Sequence, residues 1–263
     1  MRRSTLAPVI AACAVALLAG CSGSSGTTSS SSPSASPSLP AWSYSGSNGP
    51  ANWGSLSPAY AACSDGKQQS PIDIVSPVQG TESAPTVSYR AESGQVLNDG
   101  HKIEMISPAG NELVIAGTPY ELEQVHYHAP AETLIAGKRY PAEFHWVHEA
   151  AGGKIAVAGT FITAGAENPA WQPFIDTALT LQNTVGTQKP TAANWSQLLT
   201  GMGGSFNYQG SLTTPPCTEG LNWFVNPKPV TMSQRQIDQL TSIYDHNDRP
   251  VQPLNGRQVT IVK

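Results

Sequence analysis

The chain has 263 residues and a formal net charge of −4 at neutral pH, with 39% hydrophobic and 12% charged residues. No basic run marks its globular part, which argues against nucleic acid as a partner. The apolar content is that of a folded domain rather than a disordered chain.

Residues 1–20 place Arg2 and Arg3 ahead of an apolar run over 7–18, the pattern of a secretory signal and too short for a membrane-spanning helix. The segment ends Leu18-Ala19-Gly20-Cys21, which resembles the bacterial lipoprotein processing box. That resemblance implies a lipid on Cys21 as the first residue of the mature chain, and an extracytoplasmic protein anchored to the membrane at the periplasm or cell surface. An ordinary secretory signal that contains a cysteine is the alternative. Residues 21–40 are almost wholly Ser, Gly, Thr, Pro and Ala, and are expected to be a tether. Residues 41–263 are expected to form one domain. With Cys13 removed and Cys21 lipidated, Cys63 and Cys217 remain. An oxidising compartment argues for one disulfide between them, with two separate thiols as the alternative.

From 42 to 73 glycine and proline recur, and the stretch reads as a wrapping arm rather than a packed element. Strands are expected near 86–90, 94–98, 101–107, 112–116, 119–128, 140–149, 153–162, 221–225 and 257–262. Pro169 is expected to open a helix over 169–182, and Thr231-x-x-Gln234 to cap another over 232–244. A helical turn near 191–199 is also expected. The pattern is mainly β with peripheral helices.

Two of these strands carry most of the chemistry. In Gln124-Val125-His126-Tyr127-His128 the alternation of an extended chain puts Gln124, His126 and His128 on one face. In Glu143-Phe144-His145-Trp146-Val147-His148 it does the same for Glu143, His145 and Val147. A turn at Ala136-Gly137-Lys138 would let the strands pair antiparallel and gather three imidazoles, a set that suits catalytic zinc with one open position. Gln124 and Glu143 each sit two residues before a histidine, where they can accept its second N–H. A His-x-His pair alone is more often a half-exposed strand feature. Here four of the six histidines of the chain fall in these two segments.

Further motifs come in order along the chain: Asn52-Trp53-Gly54, Gln69-Ser70-Pro71-Ile72-Asp73, Gly210-Ser211-Leu212-Thr213-Thr214-Pro215-Pro216, Trp223, and Asn247-x-Arg249-Pro250-x-Gln252-Pro253-Leu254. Together with the histidine strands they resemble the alpha-class carbonic anhydrases from Trp42 to the C-terminus. The resemblance implies a central twisted, mostly antiparallel sheet of about ten strands (α+β overall), with cis peptides at Ser70-Pro71 and Pro215-Pro216. It implies reversible hydration of carbon dioxide to bicarbonate and a proton by zinc-bound hydroxide, with Zn²⁺ held by His126, His128 and His145. The water pKa near 7 on which this depends is a value established for the carbonic anhydrases themselves.

By the same resemblance, Thr213 accepts the hydroxide's hydrogen because its own goes to Glu132, and its backbone N–H meets the bicarbonate oxygen. Val147, Val157, Leu212, Leu221, Trp223 and Thr214 match the substrate wall. Gln124, Glu143 and the backbone near Asn247 support His126, His145 and His128. His101 matches the proton shuttle, with Tyr44 and Asp99 ordering the connecting waters; histidine suits that task because it titrates near neutral pH. Sulfonamides and small anions are expected inhibitors. His148 is expected to be structural, and His246 has no assigned part. Two departures stand out: Thr133 replaces a histidine common in relatives, and Glu104 stands where a neutral amide is frequent. A catalytically silent binding protein on the same scaffold and a metallohydrolase on an unrelated β fold are the competing readings.

Overall fold

β-branched and aromatic residues at alternate positions favour half-buried strands, and the computed structural model, which describes residues 39–199 and 201–263, folds them into fourteen. In chain order they are β1 Asp73–Ile74, β2 Val78–Gln79, β3 Thr86–Ser88, β4 Gly94–Asn98 and β5 Ile103–Ile106. There follow β6 Glu112–Ile115, β7 Thr118–His128, β8 Leu134–Ile135, β9 Ala142–Ala150 and β10 Lys154–Ala164. The last are β11 Gln188–Thr191, β12 Phe206–Ser211, β13 Glu219–Met232 and β14 Thr260–Ile261. The expected signal segment, Cys21 and nearly all of the expected tether lie outside the described residues. Among the described residues no helix is long and apolar enough to cross a membrane.

Twelve strands form one sheet in the order β11-β4-β5-β7-β9-β10-β13-β12-β14-β2, with β6 beside β7 and β3 beside β6. The expected mainly-β single domain is borne out, but the sheet is mixed. β10 and β13 pair in parallel, as do β14 and β2. Parallel neighbours need a long crossover, and the helices and loops between Ala164 and Glu219 supply it. β1 and β8 form a separate parallel pair. The turn at Ala136-Gly137 closes only a small loop, Ile135 and Lys138 exchanging backbone hydrogen bonds; it does not join β7 directly to β9.

Several boundaries differ from expectation for local reasons. Pro227 and Pro229 argue for a strand that stops at 225, yet β13 continues to Met232. The register with β10 shifts between Thr160 and Ile162, opposite those prolines, so their missing N–H groups interrupt no regular ladder. This extension holds Thr231 in the strand, paired with Thr163. The capping box of the last helix, α5 Gln234–Ile243, is therefore Ser233 with Gln236 rather than Thr231 with Gln234. The helix expected from Pro169 starts later, with α3 spanning Gln172–Leu181 and Pro173 in its first turn. The arm is also more packed than expected: α1 Trp53–Leu56 and α2 Ala62–Asp65 flank a cluster of buried Trp53, Tyr60, Cys63 and Cys217. α4 is the short turn Trp195–Leu198.

Alternation sorts the central strands onto two cores. Val125, Tyr127, Phe144 and Trp146 face one side, where Phe144 stacks on Trp171 at 3.9 Å and α3 packs its buried Phe174, Ile175, Ala178 and Leu181. The opposite face carries Val157, Phe161, Leu221, Trp223 and Val225. The histidine pairs of interest share that second face.

Candidate active site

Register, rather than loop structure, brings the histidines together. In the pairing of β7 with β9, His126 lies across from His145 and His128 across from Glu143. A bulge between Leu122 and Gln124 precedes the first histidine and sets the phase of both histidines beyond it. On the next strand Gly159 lies across from His145 and Val157 across from Val147, and Trp223 then pairs with Val157. β7, β9, β10 and β13 thus contribute to one patch of one face.

One nitrogen of each of His126, His128 and His145 lies within 4.8 Å of the other two, so the trio could hold a metal ion. On His126 and His128 the other nitrogen is occupied. His126 Nδ1 is 2.8 Å from Gln124 Oε1, and His128 Nδ1 is 2.5 Å from the Asn247 carbonyl. Both acceptors require a proton on Nδ1, which leaves Nε2 bare on each ring. These two Nε2 atoms stand only 3.1 Å apart. Two lone pairs so close repel unless a cation sits between them, and the spacing is near the ~3.3 Å edge of a tetrahedron of Zn–N bonds.

His145 Nε2 lies 3.2 Å from Glu143 Oε1, at an angle too bent for a full hydrogen bond. Burial pulls His126 and His128 well below the ordinary imidazole range, helped by the neighbouring histidines. For His145 the same burial is outweighed by Glu143 and Glu132, and its pKa is raised.

Glu143 is itself fully buried. Its Oε2 accepts the backbone N–H of Thr133 at 2.8 Å, while the Thr133 hydroxyl has no partner among the described residues. Here the departure at Thr133 leaves a main-chain contact in place and removes only what a side chain would add. Gly159 makes room for this carboxylate: a Cβ there would come within 2.9 Å of Glu143 Oε1.

Glu132 is buried below the histidines, with Oε1 accepting the Arg249 N–H at 2.7 Å. Burial pushes its pKa up to about 8, against the pull of His145, the Arg249 N–H and the Thr213 hydroxyl. Arg249 is a residue whose part the sequence did not disclose. Its guanidinium donates to Gln69 Oε1 (2.8 Å) and to the carbonyls of Ser70 (2.7 Å) and Cys63 (2.8 Å). Cys63 is bonded to Cys217, four residues beyond Thr213.

The cleft above the histidines is a cavity of about 180 Å³ lined by Gln124, His126, His145, Val147, Val157, Leu212, Thr213, Thr214, Trp223 and Lys102. Leu221 stands behind this wall, packed with Val157 and Trp223. His128 is wholly buried. A larger cavity of about 580 Å³, lined by Asn168, Asn226 and Thr231 among others, contains none of the histidines.

His101 lies on the turn between β4 and β5, stacked on Trp42 with ring centres 3.8 Å apart and its Nε2 3.1 Å from the Trp42 carbonyl. Asp99 Oδ1 accepts the N–H groups of His101 and Lys102, at 2.8 Å each. The Tyr44 hydroxyl is buried without a hydrogen-bond partner among the described residues, and the ring packs edge-on against Trp42. Lys102 is a lining residue that the sequence did not single out. Away from the cleft, His148 is buried on the opposite face with its Nε2 2.5 Å from the Tyr89 hydroxyl, and His246 is exposed.

This fold with this site defines a carbonic anhydrase. A family model described as eukaryotic-type carbonic anhydrase matches residues 48–263, and the chain belongs to that family, the alpha class, as an enzyme of it. The carbonic anhydrase of Pectobacterium atrosepticum is 38% identical over 82% of this chain and 88% of its own length. The alpha-carbonic anhydrase of Thermovibrio ammonificans, solved with the inhibitor sulfanilamide, superposes with a TM-score of 0.77 at 39% identity, over 84% of this chain and 98% of that one. Dioscorin, solved with ascorbate, reaches a TM-score of 0.78 at 31% identity, over 85% and 98% of the two chains.

Proposed function

We propose that the protein is a zinc-dependent catalyst of the reversible hydration of carbon dioxide to bicarbonate and a proton, with His101 moving the proton to solvent. The observation that carries this is the pair of bare Nε2 atoms 3.1 Å apart, each backed by a neutral acceptor. His126 and His128 through Nε2 and His145 through Nδ1 would hold the ion. When bound, Zn²⁺ would acidify water so that a nucleophile is available near neutral pH.

The side chains of this chain supply the remaining steps. Val147, Val157, Leu212 and Trp223 offer an apolar wall to an apolar substrate. Thr213 lines the cleft next to Glu132, which as a carboxylate has no hydrogen of its own to donate, so the hydrogen between them must come from the Thr213 hydroxyl. A divalent cation in the adjoining trio would draw Glu132 back to that form. The Thr213 oxygen is then left as an acceptor, so it orients the attacking oxygen with its lone pair toward carbon. Asp99 fixes the turn that carries His101, and histidine is the side chain suited to pass a proton outward.

The test measures bound zinc and the stopped-flow rate of CO₂ hydration on one preparation, before and after chelation and after zinc is restored. One zinc per chain and a rate that disappears and returns with it are expected. A zinc-loaded protein that does not hydrate CO₂ would leave a binding protein on this scaffold. Sulfonamides and small anions are expected to inhibit, sulfanilamide being the inhibitor held by the Thermovibrio relative.

We further propose export and lipid anchoring at Cys21, with residues 21–40 as tether, so that the domain works outside the cytoplasm. Arg2, Arg3, the apolar run and Leu18-Ala19-Gly20-Cys21 support this, and so does the Cys63–Cys217 disulfide. A mass spectrum of the mature chain from membranes should begin at a diacylated Cys21; an unmodified mature terminus elsewhere would remove the anchor.

A further inference from the structure

Three charged side chains stand together at the cleft. Lys102 lines the cavity with His126, Thr213 and Trp223, and among the described residues that line it Lys102 is the one lysine or arginine. Its ammonium is 2.7 Å from Glu104 Oε2 and also donates to Asp99 Oδ2. Side-chain exposures of 17% for Lys102, 14% for Glu104 and 29% for Asp99 keep all three partly out of bulk water. The group is built into the backbone at both ends: Asp99 caps the turn of His101, and Glu104 lies across from His126 in the pairing of β5 with β7.

Two carboxylates against one ammonium leave the cluster one net negative charge, with Glu104 across from His126 and Asp99 bonded to the backbone of His101. After burial, Asp99 adds to the rise of the Tyr44 pKa behind Glu132, and at Tyr244 the rise from Asp99 is opposed by Lys102.

We propose that the Asp99–Lys102–Glu104 cluster is a charge filter for small molecules entering the cleft, favouring cationic over anionic proton carriers and inhibitors. It rests on the reading of the site given above. A proton leaving through His101 must end on a diffusing base. A neutral base of the imidazole type becomes a cation on taking the proton and is stabilised beside a net negative wall. A phosphate dianion is repelled on approach. Lys102 limits the effect by neutralising one carboxylate, and it keeps the two from repelling each other and loosening the turn of His101. A partly shielded wall in a cleft focuses such a field more than an open surface does.

The zinc-loaded full chain is assayed for CO₂ hydration at low ionic strength with imidazole or phosphate as the buffer, at equal concentration and matched acidity. The maximal rate with imidazole should exceed that with phosphate by about five-fold, the preference shrinking at high salt. It should fall toward unity in Glu104→Gln, persist in Lys102→Arg and increase in Lys102→Met. Because the readout is a ratio, a uniform loss of activity cancels. A second readout needs no turnover: calorimetry with two arylsulfonamides of equal length, one ending in ammonium and one in carboxylate, should show a similar preference for the ammonium. Hydration indifferent to buffer charge, or a preference untouched by Glu104→Gln, would overturn the filter and leave the hydratase standing. No hydration with any buffer, together with no sulfonamide binding, would overturn both.

Discussion

Arg249 donates its peptide N–H to Glu132 Oε1 at 2.7 Å while its guanidinium, in a residue only 1% exposed, ties together Gln69, Ser70 and Cys63. The carboxylate beneath the threonine is therefore positioned by the same residue that holds the N-terminal arm. Arg249→Lys keeps the charge but loses the planar fork, and a point charge cannot serve three acceptors in that geometry. The variant should lose roughly 3 kcal/mol of stability in urea unfolding, since buried acceptors go unpaired. Its kcat/KM should also fall. A variant as stable as the parent would show that the three bonds contribute little.

Gly159→Ala tests the support of His145. The added methyl would meet Glu143 Oε1 at 2.9 Å, with Val225 at 3.4 Å on the other side. Glu143 must shift, and His145 loses its partner. Loss of such an outer partner typically costs ten- to a hundred-fold in metal affinity. Competition with a zinc indicator should read a weakening of about that size with the fold intact by circular dichroism.

His101→Ala separates proton export from the chemistry on carbon. The expected outcome is a kcat lower by on the order of ten- to a hundred-fold, a nearly unchanged kcat/KM, and recovery on adding imidazole. Equal losses in both parameters would give His101 a different part.

Thr213→Val keeps the shape of the side chain and removes its oxygen. If that oxygen orients the nucleophile, kcat/KM should drop on the order of a hundred-fold while bound zinc stays at one per chain. A drop that tracks metal loss instead would point to a distorted site.

The Tyr89–His148 pair gives a pH signature unrelated to the cleft. Burial holds His148 neutral and pulls its pKa from 6.5 to about 4. The unfolded chain therefore binds a proton first as pH falls. Its contribution to stability is complete above about pH 6.5, declines toward about pH 4, and is constant below. The full shift corresponds to at most about 3 kcal/mol. Urea unfolding at about pH 7.5 and about pH 4.5 should show a loss smaller by about 2–3 kcal/mol in His148→Gln than in the parent.

The histidine strands were legible because a period of two is strict: once Gln124 and Glu143 share faces with their histidines, only the register is left to find. Cys63–Cys217 was legible from compartment and arithmetic. What escaped was set by tertiary context. Pro227 and Pro229 argued against a strand that nevertheless continues by bulging at those two prolines, where its register with β10 shifts. Thr231 offered a cap as good as Ser233 until strand pairing claimed it. β1, β2, β8, β11 and β12 are short or polar, so alternation carries little signal in them. Lys102 received no part from the sequence and Arg249 none beyond its place in a motif, since nothing in a sequence shows which carboxylates and carbonyls the fold will bring to them.

The three rings hang from adjacent interior strands, two of them pinned by acceptors that the fold provides without help from an ion and the third, His145, set 3.2 Å from Glu143. Such a cradle is finished before its occupant arrives. Stripping the ion should leave a native apoprotein that takes zinc back within mixing time, with no refolding lag, in contrast to small domains whose folding depends on the metal. The supply of zinc would then govern when the enzyme starts to work and would have no say in whether the chain reaches its shape.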